Sequence, residues 1–332
     1  MRLSLSRIHD QIRGQLVRLL KMKMKNQIII LMYHAVVRSP LEIYDWCFID
    51  ELSFRRQLKY LIKNFEIISL SEAVERIKNA TIYRPSAVIT FDDGFQNNYE
   101  IAFPILLEAR APATIFLITG LVNTDDTVWY CRLNRALAET KKASLELDGT
   151  KLDLSGTDAK ARSSSAIKHK LKTYTHPQLL TRLQKIILEL GADPDRPVEI
   201  GSPFRMLGHQ EINKMVASGL IEFGAHTHSH AILSPLSPRQ RYEEIIRSVN
   251  TIEELTERQC KFFAYPNGRP EDYDEDTIKI LESCGVRASV TTIEGSNDEM
   301  TPLMELRRHA IGEDSVIYKS KREYLRQVWQ RL

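Results

Sequence analysis

Apolar residues along the chain fall into short continuous runs separated by stripes of helical spacing. Ile28-Ile29-Ile30-Leu31-Met32, Ile67-Ile68, Ala87-Val88-Ile89-Thr90-Phe91, Thr114-Ile115-Phe116-Leu117-Ile118, Ile221-Glu222-Phe223-Gly224-Ala225, Phe262-Phe263-Ala264 and Val286 to Thr291 each read as a strand. Runs of this length without alternation are what strands buried on both faces of a parallel sheet look like. Between them, Phe54, Leu58, Leu61 and Ile62 form a helical stripe, and Ser69 with Glu72 makes a capping box for a helix to about Lys78. A helix near 99–109 should carry Pro104 in its first turn or be perturbed by it. Further helices are predicted near 209–218 and 274–283, and Ser237-Pro238 opens a long one with Ile245, Ile246, Val249, Ile252 and Leu255 on one face. Seven or eight strands alternating with helices, without a fixed repeat, imply an α/β parallel sheet or barrel.

Two segments break this rhythm. Residues 125–203 are polar and Lys-rich, with Ser163-Ser164-Ser165 and the stripe Leu179, Leu183, Ile186, Ile187, Leu190, and they read as a mostly helical insertion. Residues 1–26 read as a basic amphipathic N-terminal helix, with Leu3, Leu5, Ile8, Ile12, Leu16, Leu19 and Leu20 near helical spacing and arginines between them. That helix either packs on the domain or lies on an anionic membrane surface through residues 1–25. No run reaches the roughly 18 apolar residues of a membrane span, and no apolar h-region with a cleavage site is visible. A cytoplasmic protein is therefore expected, with contact to the inner face of the membrane as the second reading of its N-terminus.

Composition narrows the chemistry. The chain has 332 residues and a formal net charge of +3, too small to point to nucleic acid. Its four cysteines, Cys47, Cys131, Cys260 and Cys284, are scattered, which fits a reducing compartment and argues against zinc–thiolate chemistry.

The informative residues follow three of the strands. Phe91 leads into Asp92-Asp93-Gly94, Ala225 into His226-Thr227-His228-Ser229-His230, and Ala264 into Tyr265-Pro266-Asn267-Gly268. In a parallel sheet or barrel the C-terminal strand ends share the face where sites are built. His226 and His230, four positions apart, could share a metal from one face of a helical turn. Asp92 and Asp93 cannot point the same way from an extended chain, so one can ligate while the other serves as a base. Two histidines and one carboxylate leave positions open for water and substrate, as a catalytic metal requires.

These motifs resemble those of the polysaccharide deacetylases, the NodB-homology carbohydrate esterases. Thr90-Phe91-Asp92-Asp93-Gly94 is similar to their first motif, which implies Asp92 as catalytic base and Asp93 as metal ligand. His226-Thr227-His228-Ser229-His230 is similar to their H-[ST]-x-[ST]-H motif, which implies His226 and His230 as ligands and His228 as a structural or pocket-lining residue. Phe263-Ala264-Tyr265-Pro266-Asn267-Gly268 resembles the third motif, which implies that the Tyr265 N–H helps hold the oxyanion, with Pro266 beside the substrate. The resemblance covers roughly residues 27–312, excepting the 125–203 insertion, and implies a distorted (β/α) barrel of about seven strands, NodB-like; one such domain is expected over 27–325. It further implies a metal-dependent N- or O-deacetylase acting on an acetylated sugar, oligosaccharide or lipid-linked glycan, with Zn2+, Co2+ or Ni2+ as cofactor.

Two departures matter. The family's third motif often carries an arginine that orients the base, and Phe263-Ala264 has none. The last motif often supplies a histidine acid as L-x-x-H-D, whereas Leu306-Arg307-Arg308-His309-Ala310 lacks the aspartate. His309 is one candidate acid; His34, at the end of the first strand, is another, as acid or substrate-contacting wall. Arg308 is expected at the substrate. Two rivals follow: a degenerate deacetylase that binds glycan without turnover, motivated by the missing arginine and the unassigned acid, and a metal phosphoesterase with Arg307 and Arg308 as clamp.

Overall fold

The computed structural model describes residues 26–312. The basic segment 1–25 and residues 313–325 of the expected domain lie outside the described residues. In chain order the elements are β1 (Ile28–Tyr33), β2 (Ala35–Val37), β3 (Phe48–Asp50), α1 (Glu51–Asn64), β4 (Glu66–Ile67), α2 (Leu70–Lys78), β5 (Ser86–Phe91), α3 (Phe103–Ala109) and β6 (Ala113–Leu117). The insertion follows with α4 (Trp129–Glu139), β7 (Ser144–Leu147), β8 (Thr150–Asp153), α5 (Thr157–Leu171) and α6 (His176–Glu189). The core then resumes with α7 (His209–Ala217), β9 (Ile221–Ala225), α8 (Pro238–Thr256), β10 (Phe262–Ala264), α9 (Glu275–Ser283), β11 (Ala288–Val290) and β12 (His309–Ala310).

The main sheet runs β11-β10-β9-β6-β5-β1-β12, with β4 beside β5, and all its pairs are parallel. Its two edges are joined by one short stretch. Leu306 bridges Val290 next to β11, while His309 and Ala310 pair with Leu31 and Met32 of β1. The sheet thus curls into the distorted barrel expected of the sequence.

Successive residues of a strand point to opposite faces, and here they join different clusters. Ile29, Leu31, Tyr33, Ile89, Phe91, Ile115 and Leu117 pack with Phe54, Leu58 and Leu61 of α1, Ile105 and Leu106 of α3, and Ile245, Val249 and Ile252 of α8. Ile28, Ile30, Val88, Phe116, Phe262, Ala264, Val290 and Leu306 form the second face, packed against Leu70, Ala73, Val74 and Ile77 of α2. Burial on both faces explains the absence of alternation, and each such side chain contributes about 1.5–3 kcal/mol. Glu222, the one charged residue of β9, accepts from the Ser71 N–H in the first turn of α2 and from Thr114 Oγ1, at 3.2 and 3.3 Å. A carboxylate there is favoured by the helix dipole.

Capping follows the sequence closely. The Ser69 side chain accepts from the Glu72 N–H, and Ser237 with Gln240 forms a full capping box ahead of Pro238. Pro104 lies in the first turn of α3, and the turn before it, Asn98–Ala102, widens to a π-helix.

Gly224, two residues before His226, admits no side chain. A Cβ there would lie 2.7 Å from two Phe116 ring carbons and from the Phe262 carbonyl oxygen. Gly224→Ala is expected to destabilise the fold by about 1–3 kcal/mol through overpacking. The shift in urea midpoint checks it, and an unchanged midpoint would contradict the close packing of β9 on β6 and β10.

The insertion is mostly helical, as predicted, with one addition. β7 and β8 form an antiparallel hairpin turning at Asp148-Gly149, both with positive φ (49° and 76°). The Asp-Gly pair is the turn signal that flags such a hairpin. The helices α4, α5 and α6 share a core with Ala35, Val37, Ile43, Cys47 and Phe48 from the segment after β1. Packing there sets the insertion beside the C-terminal end of β1. Among the described residues no helix is long and apolar enough to cross a membrane.

Candidate metal centre

Asp92 continues β5 by one residue: its N–H donates to the Tyr33 carbonyl at 2.9 Å. Asp93 then takes a left-handed conformation (φ 72°), and Gly94 follows at φ 83°. The left-handed residue separates the two carboxylates, as the sequence predicted. Asp92 receives both arms of the Arg308 guanidinium, Nη1 to Oδ1 at 2.7 Å and Nη2 to Oδ2 at 2.8 Å. Asp93 faces the other way. Its Oδ2 accepts from the Tyr130 hydroxyl, and its buried Oδ1 has no hydrogen-bond partner. That bare oxygen lies 3.7 Å from His226 Nε2 and 3.5 Å from His230 Nε2.

The histidines come together differently from the expected helical turn. Residues 226–230 are a loop, with Thr227 and His230 at φ 60° and 64°. The Glu244 carboxylate of α8 holds this loop by accepting from the His228 N–H, the Ser229 N–H and the Ser229 hydroxyl at 2.7–2.9 Å. A helix would need these amides for its own ladder, and here a side chain takes them. The ring centroids of His226 and His230 end 5.0 Å apart. His226 Nδ1 lies 2.7 Å from the Ala264 carbonyl oxygen. A carbonyl only accepts, so Nδ1 carries the hydrogen and Nε2 presents its lone pair to Asp93.

Burial sets the electrostatics of the three donors. Burial pushes the Asp93 carboxyl up to about 7, against the opposing Tyr130 hydrogen bond. Burial also lowers both imidazoles, His230 further than His226. One carboxylate oxygen and two neutral imidazole nitrogens lie within 4.8 Å of one another. The buried oxygen without a donor, the His226 Nε2 lone pair and a second neutral imidazole fit a divalent ion of the zinc type. For Asp92, burial acts upward, but Arg308 and then His226 outweigh it and hold the carboxyl below its usual range.

The other expected residues are less uniform. His34 follows β1, packs edge-on against Trp46 with centroids 5.0 Å apart, and has a buried Nδ1 without a partner. Burial lowers its pKa to about 4, against the charge of Asp92. His228 Nδ1 lies 3.1 Å from Thr119 Oγ1, a structural contact. Pro266 is buried after Tyr265. The Tyr265 N–H, expected at the oxyanion, donates to the Val290 carbonyl at 3.2 Å, so the barrel ladder already engages it. Arg308, expected at the substrate, is fully buried and bound to Asp92, Thr90 Oγ1 and the Thr291 carbonyl. It gives Asp92 a guanidinium partner, which the third motif lacks, and it comes from the stretch that closes the barrel. His309 pairs with Leu31, whose side chain faces the helices, and its Nδ1 lies 3.8 Å from Glu294. Strand alternation turns it away from the face that carries Arg308 and Asp92.

Sequence reasoning missed Tyr130, the insertion residue that bonds Asp93. Only its place at the start of a helix, beside Trp129 in a polar stretch, marks it. Groups that hold a ligand through its second atom typically tune metal affinity 10- to 100-fold. Tyr130→Phe is expected to weaken zinc binding by about tenfold while leaving the fold intact. Competition with a chelator reads this directly; an unchanged affinity would assign Tyr130 to packing alone.

Comparison with known proteins agrees with this geometry. YxkH of Bacillus subtilis (strain 168) is 22% identical over 271 residues, 80% of this chain, and the match spans only 65% of the length of that relative. The deacetylase PplD of Streptococcus pyogenes, solved with acetate, superposes with a TM-score of 0.58 at 21% identity, over 90% of this chain and 97% of that one. IcaB from Ammonifex degensii does so with a TM-score of 0.58 at 19% identity, over 89% and 98%. Those two likenesses establish the fold. Residues 80–289, which hold the Asp-Asp pair, the His loop and the Tyr-Pro turn, match the family model for polysaccharide deacetylase, and the chain belongs to that family.

Proposed function

We propose that this protein hydrolyses the acetyl group of an acetylated sugar, with a divalent metal, zinc in the first instance, held by Asp93, His226 and His230. The observation that carries this reading is the bare Asp93 Oδ1 facing two Nε2 atoms beside a clamped second carboxylate. When bound, such an ion polarises the acyl carbonyl and acidifies water.

The chain's own groups account for the remaining work. Arg308 fixes both oxygens of Asp92, so that Asp92 meets the attacking water in one orientation and takes its proton. A carboxylate held below its usual range is a weak base, and orientation is what the guanidinium adds. His34, neutral at pH 7, stands within electrostatic reach of Asp92 and His226. It relays the proton from Asp92 to the leaving nitrogen or oxygen; the placement of His309 opposite Leu31, on the outer face, favours His34 for this acid role. The binding-only alternative loses one of its two motives, since Asp92 has an arginine partner. The phosphoesterase alternative loses Arg308 as a phosphate clamp for the same reason.

Acetate release from N-acetylglucosamine oligomers by zinc-loaded and chelator-stripped protein tests the reading. Release that disappears on stripping and returns with zinc supports it. Stoichiometric zinc without release from any acetylated sugar would overturn it.

A further inference from the structure

The insertion reaches the site at more than Tyr130. Helix α5 carries Lys168, Lys170 and, one residue past its end, Lys172. Two of these lysines have carboxylate partners: Lys168 meets Asp45 at 2.6 Å and Lys170 meets Asp148 at 3.1 Å. Lys172 instead donates to the neutral Asn267 Oδ1 at 2.8 Å.

Asn267 is a fixed platform in the Tyr-Pro-Asn-Gly turn. It sits at φ 62°, its Nδ2 donates to Asp272 at 2.7 Å, and its carbonyl accepts from Thr292 Oγ1 at 2.6 Å. Lys172 is therefore pinned over the turn that ends β10, on the face where the metal ligands converge. Its charge acts on two of the three, Asp93 and His230. The charged groups around it do not neutralise it. Arg269 and Lys168 are also cationic, and the Asp272 carboxylate is engaged by Asn267 and the Arg269 N–H. Lys172 is exposed to solvent, yet the surrounding atoms desolvate the ammonium enough to lower its pKa. A cation in that setting, with no carboxylate partner among the described residues, is open to an anionic group on a ligand.

We propose that Lys172, held by Asn267 at the rim of the site, recognises a phosphate or carboxylate group on the acetylated sugar or on the unit next to it. This deepens the deacetylase reading and rests on it: the substrate is an anionic glycan or a phosphate-linked sugar.

Three substrates separate the cases: a neutral N-acetylglucosamine tetramer, UDP-N-acetylglucosamine carrying phosphate, and a tetrasaccharide alternating N-acetylglucosamine with glucuronate. The zinc-loaded full chain is expected to favour one anionic substrate over the neutral one by about tenfold or more in kcat/KM. Which one is favoured distinguishes phosphate from carboxylate. In Lys172→Met that ratio is expected to fall about tenfold through KM, whereas Lys172→Arg retains most of it. Equilibrium binding of the same three compounds by calorimetry reads the preference without turnover. Anion-selective binding without acetate release would sustain the anion site and overturn the deacetylase reading. Equal handling of all three, or a preference that survives in Lys172→Met, would overturn the anion site alone.

Discussion

Asp93→Ala is expected to lose bound zinc and acetate release together. Asp93 supplies the only carboxylate among the three grouped donors, and its Oδ1 has no other bonding partner. Without it two neutral imidazoles remain, a set too poor in charge for a buried divalent ion. Lewis-acid stabilisation is worth several kcal/mol, so turnover should fall roughly a thousandfold or more. His226→Ala should behave alike, because its Nδ1 bond to the Ala264 carbonyl is what aims Nε2 at Asp93. Metal analysis of the purified variants beside an acetate assay decides the matter. Unit zinc stoichiometry in Asp93→Ala would sink the ligand assignment, and metal loss with full activity would sink the mechanism.

The second large effect concerns stability as much as turnover. Arg308 and Asp92 form a buried bidentate pair with side-chain exposures of 0% and 3%. Removing one partner of such a pair typically costs about 3–5 kcal/mol, because the other charge stays buried and uncompensated. Arg308→Met is expected to fall in that range by urea unfolding. Asp92→Asn should keep its zinc yet lose roughly 10²- to 10⁴-fold in turnover, the scale of a missing general base. The double variant Asp92→Asn/Arg308→Met should be more stable than the sum of the single losses predicts, since it leaves no lone buried charge. Substantial activity in Asp92→Asn would remove it from the base role. An Arg308→Met protein as stable as wild type would show that the pair is not energetically coupled.

Much of this was legible in the chain because burial and chemistry left distinct marks. Strands buried on both faces read as unbroken apolar runs, and Asp92, Asp93, His226 and His230 each follow one. The unread parts share a physical cause: they depend on which distant segments become neighbours. Nothing local in Leu306-Arg307-Arg308-His309 says that Arg308 turns inward to Asp92 while His309 turns outward, because that depends on the register of β12 against β1. The loop at 226–230 has helical spacing but owes its conformation to Glu244, two elements removed in purpose and 14 residues beyond His230 in sequence. Tyr130 and Lys172 lie in a stretch that reads as a detour, and only packing against the segment after β1 reveals it as part of the site.

The stretch 306–310 that joins the two edges of the barrel has a temporal consequence. Asp92 and Arg308 lie 216 residues apart. A ribosome must therefore release almost all of the described chain before that pair can form. Pairing between such remote segments is entropically late and slow in folding. The three grouped donors, in contrast, need only the chain through Ala264, by which point Glu244 and the partner of His226 Nδ1 have both been made. During synthesis the protein would gather the Asp-His-His donors first and complete the Asp92–Arg308 pair last, when residues 306–310 slot between β11 and β1. A proteolytic cut just before Leu306 would then silence the enzyme without touching a ligand.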